Sequence, residues 1–159
     1  MTFPVKITQN KFAKVWDYFL YLLAKKDYSE YELTTKAATK NYPVLEVKAA
    51  IIKLKEKNFL NEQRLAENLI LKYQIYGKQF WLQKMKMVRI KPEIIEKVMV
   101  ENEELTDLSE LKRIVISKFR IISWQMDIKI KQKILRYLFS KGIESPMNVL
   151  RNWEIEGLD

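Results

Sequence analysis

Apolar residues recur along this chain in steps of three and four, the spacing that collects side chains on one face of an α-helix. Phe12, Val15, Trp16, Phe19, Leu20, Leu22 and Leu23 make the first wide apolar stripe and predict a buried helix beginning near Phe12. Ser29, with Glu32 three residues later, has the capping-box pattern of a new helix start. Leu33, Ala37 and Ala38 follow on its apolar side, and Asn41 is placed to end it in the left-handed conformation. Pro43 suits the first turn of a third helix, whose apolar face is Val44, Val47, Ala50, Ile51 and Leu54.

The same rhythm continues. Asn61 is a good N-cap for a helix carrying Leu65, Ala66, Leu69, Ile70 and Tyr73, and Gly77 ends that helix or lets the chain turn. Phe80, Trp81, Met85 and Val88 mark the next helix; Pro92 opens another, with Ile94, Ile95, Val98 and Met99 inward. The acidic segment Glu101, Glu103, Glu104, Asp107, Glu110 predicts a junction, with Thr106 or Ser109 capping the helix of Leu111, Ile114, Val115 and Phe119. Asp127 is expected to cap a helix whose face is Ile130, Ile134, Tyr137 and Leu138. Ile128 to Lys131 alternates like a strand, but the helical period that follows it decides for helix. Pro146 opens the last helix, with Val149, Leu150 and Trp153, and the polar tail from Glu154 is expected to fray.

About nine helices in three groups of three follow from this reading, with no convincing strand. The groups repeat. Three turns, at Asn41-Tyr42-Pro43, Arg89-Ile90-Lys91-Pro92 and Gly142-Ile143, have anchors Tyr42, Ile90 and Ile143 that lie 48 and 53 residues apart. Nine residues before each anchor stand Leu33, Trp81 and Ile134; five before stand Ala37, Met85 and Leu138. Nine after come Ile51 and Met99, while Trp153 falls one place later, which predicts a one-residue insertion in the third copy. The predicted class is all-α, an elongated and curved tandem array of three helix-turn-helix-like repeats over residues 1–58, 59–102 and 103–159. Such arrays present an extended surface rather than one deep pocket, which favours binding over catalysis.

Composition sharpens this. The chain has 159 residues, 48% of them hydrophobic, only three Gly and four Pro, and no Cys or His. A disulfide, a thiol nucleophile and a Cys/His zinc site are therefore excluded, as is the usual general base near neutral pH. Three scattered glycines cannot build a phosphate-binding glycine loop. Glu103 and Glu104 are adjacent and point apart, and Glu93 and Glu96 share a face with no nucleophile or metal-ligand set beside them. No enzyme, metal or cofactor is expected. No apolar run is long enough for a membrane span, and the N-terminus lacks a signal pattern, so a cytoplasmic protein is the expectation.

The net charge is +9, which suits a polyanion or an acidic partner. It is concentrated. Lys78, Lys84, Lys86, Arg89 and Lys91 form a run with no acid between them. From Lys112 to Lys141 nine basic residues stand against one acid, Asp127. Both runs lie on or just after the middle helix of their repeat, so stacking would align them in one basic stripe. Taken singly, each lysine is an ordinary solvated residue. Trp16, Trp81 and Trp153 fall on apolar faces, whereas Trp124 sits in a turn and either caps the core or docks on a partner.

Four segments, in order, resemble the RecX family of bacterial regulators of the RecA recombinase. Tyr28-Ser29-Glu30-Tyr31-Glu32-Leu33 is similar to that family's opening of the second helix. Phe59-Leu60-Asn61-Glu62-Gln63-Arg64-Leu65-Ala66-Glu67 resembles its Leu-(Asp/Asn)-(Asp/Glu)-x-Arg-(Phe/Leu)-Ala signature. Gly77 with Trp81, Met85 and Ile90 comes next, and Arg136 to Ile143 is similar to the family's basic segment ending in Lys/Arg-Gly-Phe/Ile. The family usually has Gly before each anchor. Here only Gly142 keeps it; Asn41 is a tolerable replacement, but Arg89 resists a left-handed cap, so the second turn is expected to be built differently.

The resemblance implies a non-enzymatic regulator that binds the groove of a RecA–DNA filament and damps ATP hydrolysis and strand exchange. Its partners would be the recombinase and single-stranded, and also double-stranded, DNA, and the protein would act as a monomer. Contact residues, assigned by charge, are Lys78, Lys84, Lys86, Arg89, Lys91, Lys129, Lys131, Lys133, Arg136 and Lys141. Ser29, Glu32, Leu33, Asn61, Arg64, Ala66, Gly77 and Gly142 are the structural signature, with Arg64 tying adjacent helices. Lys131 and Lys133 are expected on exposed faces, where substitution costs little. The alternatives are a direct DNA-binding protein of helix-turn-helix type and an adaptor for another acidic protein.

Overall fold

The structure, a computed structural model, describes residues 11–102 and 106–158. Among these it is all-helical, in the order α1 (Val15–Leu23), α2 (Glu30–Thr39), α3 (Val44–Glu56), α4 (Glu62–Lys72), α5 (Lys78–Met87), α6 (Pro92–Glu101), α7 (Leu108–Phe119), α8 (Ile128–Ser140) and α9 (Pro146–Glu156). Two compact units are formed. Among the described residues the first comprises 11–65 and 88–90, and the second 66–87, 91–102 and 106–158. The first has a core of Phe19, Leu33, Ala37, Tyr42, Val47, Ile51 and Leu54. The second has Leu111, Val115, Trp124, Ile134, Leu138, Leu150 and Trp153 as one cluster, with Trp81, Met85, Ile95 and Val98 also buried.

The three turns are alike at the level of the backbone. Asn41, Arg89 and Gly142 all have positive φ, at 58°, 53° and 76°. The anchor after each, Tyr42, Ile90 and Ile143, is buried, as are Leu33, Trp81, Ile134, Ala37, Met85 and Leu138 before them. In the first turn the Tyr42 N–H reaches back to the Ala37 carbonyl at 3.2 Å, and in the third the Ile143 N–H reaches the Leu138 carbonyl at 3.2 Å. These are Schellman-type closures, with the acceptor carbonyl on the residue whose side chain enters the core.

Arg89 therefore keeps the left-handed residue of the other two turns and bears the steric penalty of that region, about 1 kcal/mol. Its guanidinium lies 4.2 Å from the centre of the Tyr31 ring, a cation–π contact of about 0.5–1 kcal/mol at an exposed site. The next carbonyl back, that of Val88, accepts the buried Ser29 hydroxyl. Both contacts hold the turn in place.

Several local expectations are corrected. Phe12 precedes α1 rather than starting it. Pro43 is the N-cap of α3, and Val44 just after it is 68% exposed, because the inward face begins only at Val47. Ala38 and Ile130 are likewise exposed. Neither Thr106 nor Ser109 caps α7; Asp107 does, its Oδ1 accepting the Glu110 N–H at 2.9 Å. Asp127 occupies the N-cap position of α8 without a side-chain hydrogen bond. In the third copy α9 starts one residue later relative to its anchor than α6 does. Its buried positions, Leu150 and Trp153, lie seven and ten residues past Ile143, where Ile95 and Val98 lie five and eight past Ile90. Glu103 and Glu104 lie outside the described residues.

As far as Gly157 the polar tail is tied down rather than frayed. The Trp124 indole donates to the Gly157 carbonyl at 2.9 Å, so Trp124 closes the core. Glu154 pairs with Lys131 at 2.5 Å and Glu156 with the buried Lys112 at 3.2 Å.

Candidate functional site

The signature residues have structural roles. Ser29 accepts the Glu32 N–H at 3.1 Å while the Glu32 carboxylate accepts the Ser29 N–H at 3.0 Å, a complete capping box. Asn61 caps α4 by accepting the Arg64 N–H at 2.9 Å. Arg64 grips Asp27 through Nε and Nη2, at 3.1 and 2.7 Å, and also donates to the Asn58 and Phe59 carbonyls. The bond to Asp27 holds its pKa above the ordinary arginine value. Leu33 and Ala66 are fully buried. Glu62, which the sequence offered only as part of a motif, is buried and accepts the Glu30 N–H at 2.9 Å, placing a carboxylate at the positive end of α2. No spacing rule distinguishes such a carboxylate from a solvated one.

Gly77 acts through closeness, not through chain reversal. It lies just before α5, and its N–H donates to the Lys141 carbonyl at 2.7 Å. A Cβ there would fall 2.1 Å from the Gly142 carbonyl oxygen. The two signature glycines, 65 positions apart in sequence, touch backbone to backbone.

The ten basic candidates separate by environment. Lys141 is half-buried, donates to the Tyr76 hydroxyl at 3.0 Å and lies over the Tyr76 and Tyr137 rings. Lys84 covers Phe80, with its Nζ 5.0 Å from the ring centre. Lys78 and Lys91 have partners within the chain, and Arg89 stacks on Tyr31. Lys131 is not the free cation expected: its side chain is 32% exposed and paired with Glu154. Lys86, Lys129 and Lys133 are exposed with no acidic partner among the described residues, and Arg136 is exposed beside the Gln132 carbonyl of its own helix at 3.4 Å. Of the ten candidates, these four are open to a ligand.

Beside them lies a groove of about 550 Å³ between α5 and the α8–α9 turn, lined by Gln79, Phe80, Gln83, Phe139, Ser140, Gly142, Ile143 and Glu144. Sequence reasoning did not single out Phe139, which lies off the Ile134–Leu138 core face and is 75% exposed. No cluster of side chains able to hold a metal occurs among the described residues, and no described helix is long and apolar enough to cross a membrane.

No protein-family model matches the chain. Regulatory protein RecX of Haemophilus ducreyi is 33% identical over 128 residues, which cover 79% of this chain and 82% of that protein. The chain belongs to the RecX family. Regulatory protein RecX of Actinobacillus pleuropneumoniae is 35% identical over 128 residues with the same coverage. A crystal structure of regulatory protein RecX shares the fold, with a TM-score of 0.72 over 87% of this chain and 71% of that one at 16% identity. RecX proteins are named as regulators, and this chain is a regulatory protein rather than an enzyme.

A prediction follows for the basic surface of this RecX chain. Lys131→Glu sets a second carboxylate against Glu154 and should cost about 1–2 kcal/mol. Lys133→Glu, at an exposed position, should stay within about 0.5 kcal/mol. Urea denaturation of the two variants measures this; equal losses would mean that the Lys131–Glu154 pair contributes nothing.

Proposed function

We propose that the protein is a negative regulator of a RecA-type recombinase, acting in the cytoplasm as a monomer. It binds along the groove of the recombinase–DNA filament and slows ATP hydrolysis and strand exchange. The observation that carries this reading is the 33–35% identity to regulatory protein RecX over about four fifths of the chain. The exposed cations Lys86, Lys129, Lys133 and Arg136 support it, since a nucleoprotein filament is a polyanion and exposed cations steer association with one.

The test is the ATPase rate of a RecA-type protein on single-stranded DNA with the regulator added at equal concentration. A marked fall is expected for the wild type. The double variant Lys133→Glu/Arg136→Glu, which leaves the core untouched, should lose most of that inhibition. An unchanged ATPase with the wild type sinks the reading; full inhibition by the variant would put the contact surface elsewhere.

A further inference from the structure

The groove between α5 and the α8–α9 turn has the walls and edges of a site for a flat heterocycle. Phe80 is one wall, held by the Tyr76 ring at 4.0 Å and the Tyr73 ring at 5.2 Å. Phe139 is the other, and it is open to solvent. The polar edge consists of Gln79, Gln83, Ser140 and Glu144, with Gln79 donating to Glu144 at 3.3 Å. Amides, a hydroxyl and a carboxylate between aromatic surfaces offer donors and acceptors to a base edge while a ring stacks.

The helices flanking the groove also carry the exposed cations. Gln79, Gln83 and Lys86 follow one another at intervals of four and three along α5. Lys129, Lys133, Arg136 and Ser140 follow at four, three and four along α8. Each set shares one helix face, and each runs from groove-lining residues to cations. With a rise of about 1.5 Å per residue, the α8 cations are spaced about 6 and about 4.5 Å along the axis, the order of spacing of phosphates on a strand. No carboxylate stands between Asp127 and Glu144 in the sequence.

We propose that this groove receives an unstacked nucleobase of single-stranded DNA whose phosphates run along Lys129, Lys133 and Arg136. Glu144 decides which part of the ligand enters. Its charge repels a phosphate or an acidic side chain and accepts from an exocyclic amino group of a base. An acidic protein segment would satisfy the cations but would meet that carboxylate in the groove. The inference goes beyond regulation of a recombinase, because binding of this kind needs no recombinase.

Fluorescence anisotropy with a labelled, short single-stranded oligodeoxycytidine, repeated with an abasic strand of equal length, tests it. The wild type should bind at low salt, with affinity falling as salt rises. Phe139→Ala should weaken binding about 10-fold without changing the salt slope, and should have no effect on the abasic strand. Lys129→Ala/Lys133→Ala should instead flatten the slope, by about 0.7 for each phosphate no longer neutralised. Thermal melts should show Phe139→Ala folded as the wild type, since the ring is exposed. Absence of wild-type binding to naked strand, or an equal Phe139→Ala effect on both strands, overturns the proposal. If Phe139→Ala impairs recombinase inhibition but leaves strand binding intact, the face docks on protein; the base site then fails while the regulatory reading stands.

Discussion

Gly77→Ala should be among the most damaging single substitutions in the chain, costing about 3 kcal/mol or more. The added methyl would lie 2.1 Å from the Gly142 oxygen, 2.5 Å from its carbonyl carbon and 2.8 Å from the Ile143 nitrogen. These are backbone atoms, which cannot swing aside as a lysine tip can. Overpacking alone costs about 1–3 kcal/mol. Backing the two segments apart also breaks the 2.7 Å bond from the Gly77 N–H to the Lys141 carbonyl, worth about 1 kcal/mol more. Gly157→Ala is the comparison: Gly157 has the positive φ, 90°, that Gly77 lacks, but a Cβ there meets nothing within 4 Å and the residue lies past the last helix, where the chain can relax. Its loss should be no more than about 1 kcal/mol. Urea denaturation of both variants gives the answer. Equal losses would show that the close approach of the glycines is not the source of the penalty. That approach also fixes α5 beside the α8–α9 turn, the two sides of the groove, so Gly77→Ala should impair any ligand that needs both.

The distinction between Gly77 and the turn residues explains what the sequence could and could not convey. Helix identity was readable because burial follows period: Leu33 with Ala37, Trp81 with Met85, and Ile134 with Leu138 are all buried, four residues apart. The capping box at Ser29 and the cap at Asn61 were readable because both are local chemistry within one turn. Arg89 was misjudged because its steric preference is local but its stabilisation is not. Tyr31 and Ser29, which hold its turn, stand some sixty residues earlier. Gly77 looked like a turn glycine because its real neighbour, Gly142, is equally distant.

The basic surface shows the same limit. Composition located the cationic runs, but not which members were already paired. Lys131 and Lys133 are two residues apart and look equivalent in sequence. Helical geometry turns them to different sides, one toward Glu154 on α9 and one to solvent. The groove beside Phe139 was invisible for the same reason, since it depends on α5 meeting the α8–α9 turn.

Ser29→Ala tests the other long-range joint, and a loss of about 2–3 kcal/mol is expected. The residue is fully buried. Its hydroxyl accepts the Glu32 N–H and donates to the Val88 carbonyl, so one oxygen caps α2 and binds the α5–α6 turn. Removing the cap costs about 1 kcal/mol. Stranding the Val88 carbonyl adds about 1–2 kcal/mol, because the alanine methyl cannot donate to it. Asn61→Ala removes the matching cap of α4 but no second bond to a distant turn, and should cost only about 1 kcal/mol. Asn61→Ala also removes the Asn61 amide's bond to the Asn58 side chain at 2.9 Å, an exposed contact, so a larger loss in Ser29→Ala points to the Ser29–Val88 bond. Residues 88–90 group with the first compact unit rather than with their chain neighbours, and this bond and the Arg89–Tyr31 stack are contacts they make there. Hydrogen exchange should therefore show the Ile90 amide losing protection in Ser29→Ala while α8 amides keep theirs. If Ser29→Ala costs no more than Asn61→Ala and Ile90 stays protected, the turn is held by packing of Ile90 alone.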